Sequence, residues 1–166
     1  NQHVNYKDLY YANDQNLSHK YTDYFEVYDE AFSKYIDKKP DVLEIGVQNG
    51  GGLQLADKYF KNGRIYGIDI NPEVCKMYLG NNIKTYCFDA VDKESFENNM
   101  GSIKFDTILD DGSHLNADVI KTFEHLFERV KPGGVYVIED LQTSYYDGAG
   151  FDGGYLKKES SIEFLK

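Results

Sequence analysis

Two acidic clusters in this sequence could together hold a cation. Asp110 and Asp111 follow one apolar run of the sequence, and Glu139 and Asp140 follow another. Both runs have the length and composition of strands, and the carboxyl ends of parallel strands meet at the edge of an α/β sheet where ligands bind. Carboxylates gathered at one edge repel one another, and a bound cation would offset that repulsion. Ligand sets made only of oxygen favour Mg²⁺, Mn²⁺ or Ca²⁺ over zinc.

A cation held there could activate an alcohol as a nucleophile. Coordination lowers the pKa of an alcohol and fixes its position, and His114, shortly after Asp111 in the sequence, could accept the proton. A purely structural alternative stays open. Asp111 and Ser113 would then cap the helix predicted from residue 115, and the second acidic cluster would be a solvated strand end.

A glycine-rich turn and two strand-end aspartates predict a nucleotide-like ligand at the same edge. Glu44, Gly46 and Gly50 lie at the end of the first predicted strand and in the turn after it, where glycines let the backbone approach a ligand closely. Asp69 ends the second predicted strand, where a carboxylate can accept hydrogen bonds from both hydroxyls of a ribose. Asp89 ends the third, where a carboxylate could accept from an adenine amino group.

The same edge receives a residue from each of the first four predicted strands. Ala90 follows Asp89 in its turn and Asp110 ends the fourth strand, so both are expected to contact the same ligand. Taken singly, a strand-end aspartate is more often a helix cap, and a glycine-rich turn is more often an ordinary turn. The regular order, one element per strand, favours a binding site. The glycine spacing is not G-x-G-x-x-G, so a nicotinamide oxidoreductase is the weaker hypothesis.

Strands alternating with helices from residue 41 onwards must position these residues. Strands are predicted at 42–45, 64–70, 83–88, 105–109 and 135–138, and helices at 53–60, 73–79, 94–99 and 115–130. A tight turn is predicted at 131–134 and a further helix from residue 160. The alternation is typical of βαβ units and predicts an α/β fold, a Rossmann-like, doubly wound, mainly parallel sheet with helices on both faces. Since only five strands are predicted, we expect the sheet to be truncated at its C-terminal end.

Residues 1–40 form a different segment, which is polar and rich in tyrosine. Aromatic residues at spacings of three and four predict one helical face that packs on the sheet. These residues are Tyr21, Tyr24, Phe25, Tyr28 and Phe32. The segment could also close over the ligand as a lid. Residues 41–166 are predicted to form the single ligand-binding domain, with His125 exposed on a helix and a mobile glycine-rich loop at 147–154.

The bulk composition narrows the range of partners. With 166 residues, 41% of them hydrophobic, the chain is long enough for one domain with a real core. Its formal net charge of -10 argues against nucleic acid or an anionic membrane as a partner. No apolar run approaches the roughly 20 residues of a membrane-spanning helix. Cys75 and Cys87 lack metal-ligand spacing and suggest reduced thiols, so a cytoplasmic location is expected.

The series Glu44, Gly46, Gly50, Asp69 and Asp89 resembles that of class I S-adenosylmethionine-dependent methyltransferases, and the resemblance covers most of the chain. It implies that S-adenosylmethionine is the cofactor. It further implies that Gly46 and its neighbours line the methionine part, that Asp69 holds the ribose and that Asp89 contacts the adenine.

A second resemblance narrows the first. The motif Asp-Asp-Gly-Ser-His at 110–114, together with Ile-Glu-Asp-Leu-Gln-Thr-Ser-Tyr-Tyr after the fifth strand, resembles the metal-dependent sugar O-methyltransferases of macrolide and related natural-product pathways. The resemblance implies that Asp111, Glu139 and Asp140 bind a divalent cation and that His114 acts as the base.

We therefore expect an enzyme that transfers a methyl group from S-adenosylmethionine to a hydroxyl of a sugar or other polyhydroxylated small molecule, with Mg²⁺, Mn²⁺ or Ca²⁺ as the metal. Two alternatives stay open. The acceptor could be phosphorylated or nitrogen-containing, or the protein could be a non-catalytic module that binds the cofactor or a metal. A small molecule, with neither nucleic acid nor membrane, is the expected partner, and a homo-oligomer is possible because family members often associate.

Overall fold

The computed structural model describes residues 32–47, 50–111, 116–138, 155–156 and 162–165. The strands are β1 (Asp41–Ile45), β2 (Arg64–Asp69), β3 (Ile83–Cys87), β4 (Phe105–Asp110), β5 (Val130–Ile138), β6 (Tyr155–Leu156) and β7 (Ile162–Leu165). The α-helices are α1 (Gly51–Tyr59), α2 (Lys93–Met100) and α3 (Asn116–Leu126). Short 3₁₀ helices cover Ser33–Tyr35, Val74–Lys76 and Phe127–Arg129.

These strands form one seven-stranded sheet in the order β3-β2-β1-β4-β5-β7-β6. Strands β1 to β5 pair in parallel, whereas β7 runs antiparallel to both of its neighbours. The strand order reverses between β1 and β4, where Ile45 pairs with Ile68 on one side and with Asp110 on the other. In open α/β sheets, ligands bind at the carboxyl ends of the strands beside such a reversal.

Helices cover both faces of the sheet, which confirms the predicted architecture. Along β1, Val42 belongs to the core cluster that contains the α1 side chains, and Leu43 belongs to the cluster that contains those of α2 and α3. Successive side chains of a strand point to opposite faces, so one strand supports both layers. Within the described ranges, no helix has the length and apolar character needed to cross a membrane.

Phe32 is the only residue of the predicted N-terminal aromatic face that the described ranges include. It is 2% exposed, and its ring centroid lies 6.5 Å from that of Tyr59 and 5.7 Å from that of Phe60. Phe32 therefore packs into the layer formed by α1. The rest of the aromatic face, the predicted lid and the predicted loop at 147–154 lie outside the described residues.

Two predicted helices are wrong. The segment predicted as a helix at 73–79 forms only the 3₁₀ turn Val74–Lys76, after which Met77 is extended with ψ at 134°. A helix this short gains too little from its few hydrogen bonds to offset the cost of nucleation. The helix predicted from residue 160 is also wrong, because β7 occupies part of that segment and pairs with β5. The described part of the sheet therefore contains the five predicted parallel strands and two further antiparallel strands, β6 and β7.

The turn predicted at 131–134 lies inside β5. Gly133 there has a positive φ of 81°, and the register between β4 and β5 shifts between Phe105 and Thr107. The additional residues of β5 form a bulge at this shift. Beyond it the pairing is regular as far as Ile138, which lies opposite Asp110.

Asp41 joins two cations at the amino-terminal edge of the sheet, opposite the ligand edge. Its side chain is 7% exposed and lies 2.7 Å from Arg64 Nε and 2.9 Å from Lys131 Nζ. We expect Asp41→Asn to lower the free energy of unfolding by about 1.5–3 kcal/mol, the range for hydrogen bonds to charged groups. Urea denaturation measures the change. Glu73→Gln, which breaks the exposed pair with Lys76, is the matched control and should cost less than about 1 kcal/mol. Equal losses in the two variants would contradict the expectation.

Candidate functional site

A cavity of about 240 Å³ opens at the carboxyl ends of the strands, beside the reversal of strand order. Six residues singled out from the sequence line it: Gly46, Asp69, Asp89, Ala90, Asp110 and Asp111. Its apolar lining consists of Ile45, Ile68, Ile70, Phe88 and Val91. The fold therefore brings the ends of four strands to one cavity that combines apolar walls with carboxylates.

The turn after β1 is shaped by backbone conformations that favour glycine. Gly46 has φ at 88°, and its N–H donates to the carbonyl of Ile68 at 2.8 Å. Gly50 has φ at 85°, and a Cβ on it would lie 2.5 Å from Leu79 Cδ2. Larger residues are strained at positive φ. Glycine is therefore favoured at both positions, and Gly46 adds no side chain to the cavity that it lines.

Glu44 and Gly50 do not line the cavity, although the sequence analysis placed both in the cofactor site. Glu44 is 5% exposed, and its carboxylate lies against Gly52, where a Cβ would come within 2.6 Å of Oε1. Gly50 immediately precedes α1. Their assignment to the cofactor site stays a prediction.

Asp69 ties two loops to the end of β2. Its Oδ2 accepts the N–H of Val47 at 2.9 Å, and its Oδ1 accepts the N–H of Asn71 at 2.9 Å. These two backbone contacts orient the carboxylate, which lines the cavity. The two loops hold the side chain in place at the cavity wall.

Asp89, Ala90 and Val91 form the turn that closes another side of the cavity. Asp89 Oδ1 accepts the N–H of Val91 at 3.1 Å, and Ala90 is 5% exposed. The turn is joined to α3 by His125, whose Nε2 lies 2.7 Å from the carbonyl oxygen of Ala90. The conformation of this turn is therefore fixed by a hydrogen bond within the turn and by another from α3.

The predicted exposure of His125 is wrong. The ring is half-buried, and it meets Phe96 edge-on with ring centroids 5.8 Å apart. Burial lowers the pKa of His125 below its ordinary value, against the opposing effect of the hydrogen bond to Ala90. The residue lies off the apolar stripe of α3, which is why the periodicity of the sequence assigned it to solvent.

Sequence reasoning also missed two cavity residues on α3. Asp118 and Thr122 line the cavity, and Thr122 is 3% exposed. Their spacing of four residues places both on one helical face, but polar residues with this spacing are typical of a solvent-facing surface. The only signal available in the sequence was that the helix begins just after the acidic end of β4.

The proposed metal ligands are only partly described. Asp110 is 4% exposed, and Asp111, which is half-buried, donates its backbone N–H to the carbonyl of Ile45 at 2.9 Å. His114, Glu139 and Asp140 lie outside the described residues. Within the part of the chain that is described, no group of three histidine, cysteine, aspartate or glutamate side chains could hold a metal.

Comparison with known families identifies the family of this chain. A family model described as a methyltransferase domain matches residues 17–162. The chain belongs to the class I S-adenosylmethionine-dependent methyltransferases. This confirms the resemblance stated from Glu44, Gly46, Gly50, Asp69 and Asp89.

Curated relatives carry the names of sugar O-methyltransferases. The 8-demethyl-8-alpha-L-rhamnosyl tetracenomycin-C 2'-O-methyltransferase of Streptomyces olivaceus is 36% identical over 152 residues, which are 86% of this chain and 39% of that protein. The mycinamicin VI 2''-O-methyltransferase of Micromonospora griseorubida is 40% identical over 131 residues, 74% of this chain and 32% of that protein. The chain spans less than half the length of these relatives.

The fold is also similar to that of a solved methyltransferase. MycE methyltransferase from the mycinamycin biosynthetic pathway, in complex with Mg and SAH, gives a TM-score of 0.76 at 27% identity and covers 99% of this chain and 55% of that one. The same enzyme in complex with Mg, SAH and mycinamycin VI gives a TM-score of 0.75 at 27% identity, covering 98% of this chain and 54% of that one.

Proposed function

We propose that the protein is an S-adenosylmethionine- and divalent-cation-dependent O-methyltransferase that acts on a hydroxyl of a sugar-linked small molecule. The observation that carries the proposal is the cavity at the β1/β4 reversal, which joins an open glycine turn to strand-end carboxylates. The names of the relatives supply the acceptor class. A tetracenomycin rhamnosyl methyltransferase and a mycinamicin methyltransferase both act on sugar-bearing molecules by their names.

The cavity suits the parts of S-adenosylmethionine in order along its wall. The positive φ of Gly46 leaves the backbone open to the methionine part. Asp69, which the N–H groups of Val47 and Asn71 orient at the end of β2, would accept hydrogen bonds from the two ribose hydroxyls. Asp89 and Ala90, beside the apolar side chain of Phe88, offer an acceptor and a flat apolar surface to adenine.

The acceptor half of the site would hold a divalent cation through Asp111, Glu139 and Asp140. The register supports this assignment, because Asp110 pairs with Ile138 at the ends of two adjacent parallel strands. Asp111 and Glu139 are the residues that follow them in the sequence. Carboxylate oxygens are suitable ligands for Mg²⁺. When bound, the cation would lower the pKa of the acceptor hydroxyl and fix its position.

His114 would act as the base in this mechanism. It would take the proton of the acceptor hydroxyl, and the resulting oxygen nucleophile would attack the sulfonium methyl group in line. The bond from sulfur to methyl breaks as the bond from oxygen to methyl forms, so S-adenosylhomocysteine leaves. Holding the two reactants in line contributes more than the base, which is typically worth about 10²–10⁴-fold.

A methyl-transfer assay tests the proposal and its alternatives together. We expect the intact protein with Mg²⁺ to move radiolabelled methyl from S-adenosylmethionine to glycosylated polyketide acceptors that carry free sugar hydroxyls. Phosphorylated sugars and amines form the comparison panels. Preferential methylation of either panel would indicate a phosphorylated or nitrogen-containing acceptor instead. Tight cofactor binding without transfer to any panel would favour a non-catalytic module.

A further inference from the structure

Three polar residues on one side of α3 face the adenine end of the proposed cofactor site. Asp118 and Thr122 line the cavity, and His125, one turn further along the helix, reaches the carbonyl of Ala90 at 2.7 Å. A carbonyl oxygen can only accept a hydrogen bond. The proton on His125 must therefore be on Nε2, and the imidazole acts as a donor to the turn.

The other ring nitrogen fixes the charge of His125. Its Nδ1 is buried and has no hydrogen-bond partner within the described part of the chain. A second proton placed there would be buried without an acceptor, which is costly. The geometry therefore holds the ring in one neutral tautomer.

The charged groups around the ring oppose one another. Lys93 on α2 and Arg129 after α3 disfavour a cationic imidazole, whereas Glu97 on α2 and Asp92 just before it favour one. The same external groove is lined by Lys121 and Glu124 on α3, by Glu128 just after it and by Asp89 in the turn. With the signs mixed, burial decides the outcome and lowers the pKa of His125.

We propose that His125 is a positioning residue of the cofactor site. Its Nε2–H holds the turn of Asp89, Ala90 and Val91 in the shape that receives adenine, so cofactor affinity depends on this donor. This inference rests on the proposed function. Among the hydrogen bonds described, the Asp89 side chain contacts only Val91, within the turn itself. The contact from His125 to the Ala90 carbonyl joins the turn to α3, so the conformation of the turn depends on this ring.

The donor on Nε2 is present in both the neutral and the protonated ring, so the contact with Ala90 is tested at a single pH. At pH 7.5 the neutral ring predominates, because this pH is above the ordinary histidine pKa of about 6.5 and burial lowers the pKa of His125 further. Loss of this one ordinary hydrogen bond should weaken S-adenosylhomocysteine binding about threefold or more.

Two substitutions separate this role from packing. His125→Gln keeps an N–H donor that can reach the Ala90 carbonyl, so its affinity at pH 7.5 should stay near the wild-type value. His125→Phe keeps the contact with Phe96 but has no donor, and should bind about 3- to 10-fold more weakly at the same pH. Glu124→Gln, on the exposed side of the same helix, is the control and should keep the wild-type affinity.

Calorimetric titration of intact protein with S-adenosylhomocysteine at pH 7.5 decides the matter. A His125→Phe affinity equal to wild type would overturn the inference, and so would a His125→Gln affinity as weak as that of His125→Phe. If His125→Phe does not fold, His125→Leu takes its place in the same comparison. Absence of wild-type binding at pH 7.5 would instead overturn the proposed function, and the inference with it.

Discussion

The Asp69→Asn variant is expected to bind S-adenosylhomocysteine about 10- to 150-fold more weakly than the wild-type protein. Hydrogen bonds to a charged group contribute about 1.5–3 kcal/mol, and every 1.4 kcal/mol is about tenfold in affinity. The carboxylate of Asp69 is held by the N–H groups of Val47 and Asn71. Replacing one oxygen by an amide therefore removes an acceptor for the ribose and also loosens the loop after β1. Calorimetric titration measures the loss.

Glu73→Gln is the matched control for Asp69→Asn. Glu73 lies close to Asp69 in the sequence but is exposed, and its described ion pair is with Lys76. The Glu73→Gln substitution removes one negative charge outside the cavity. The affinity of this variant for S-adenosylhomocysteine should therefore stay within about twofold of wild type. Similar losses in both variants would mean that net charge, and not the ribose contact, determines the affinity.

Removal of the cation is expected to abolish turnover while leaving cofactor binding intact. Lewis-acid stabilisation is worth several kcal/mol, so EDTA should lower kcat by about 100-fold or more, and added Mg²⁺ should restore it. Asp111→Asn should lower kcat to a similar extent, because it removes one of the three proposed ligands. The backbone N–H that Asp111 donates to Ile45 is unchanged by the substitution. The end of β4 should therefore keep its place.

The control for Asp111→Asn is Asp118→Asn. Asp118 lines the same cavity from α3, but it is not among the proposed metal ligands. The Asp118→Asn variant should respond to Mg²⁺ as the wild-type protein does. The Asp111→Asn variant should need much more Mg²⁺ for turnover or show no response to Mg²⁺. Full activity of the wild-type protein in EDTA would contradict the proposed role of the cation. It would leave the proposed cofactor site unaffected.

The order of strand ends made part of the site predictable. Gly46, Asp69 and Asp89 could be placed at one edge because parallel strands deliver their carboxyl ends together. That argument needs only the sequence of alternating strands and helices. It does not depend on how any side chain packs, which is why it survived errors elsewhere in the predicted secondary structure.

The contribution of α3 could not be predicted in the same way. Asp118, Thr122 and His125 form a polar face, and periodicity alone assigns such a face to solvent. The partner of His125 is the carbonyl of Ala90, a backbone atom 35 residues away. No pattern of side-chain types encodes a contact with a distant backbone atom, so only the folded structure reveals it.

The errors in the fold have a similar origin. The segment after residue 160 was assigned from its local pattern, but β7 gains its hydrogen bonds from β5, a strand more than 20 residues earlier in the chain. Strand preference depends on such pairing more than on the residues themselves. The bulge at Gly133 was recognised as a turn from its composition, but its place inside β5 depends on the register with β4.

Titration of the intact wild-type protein with S-adenosylhomocysteine tests the central claim, that the cavity at the β1/β4 reversal is a cofactor site. We predict one molecule bound per chain at pH 7.5, with a dissociation constant below about 1 mM, the upper end of typical substrate constants. Asp69→Asn should shift the curve to weaker binding. The absence of any binding by correctly folded wild-type protein at millimolar ligand would contradict the account.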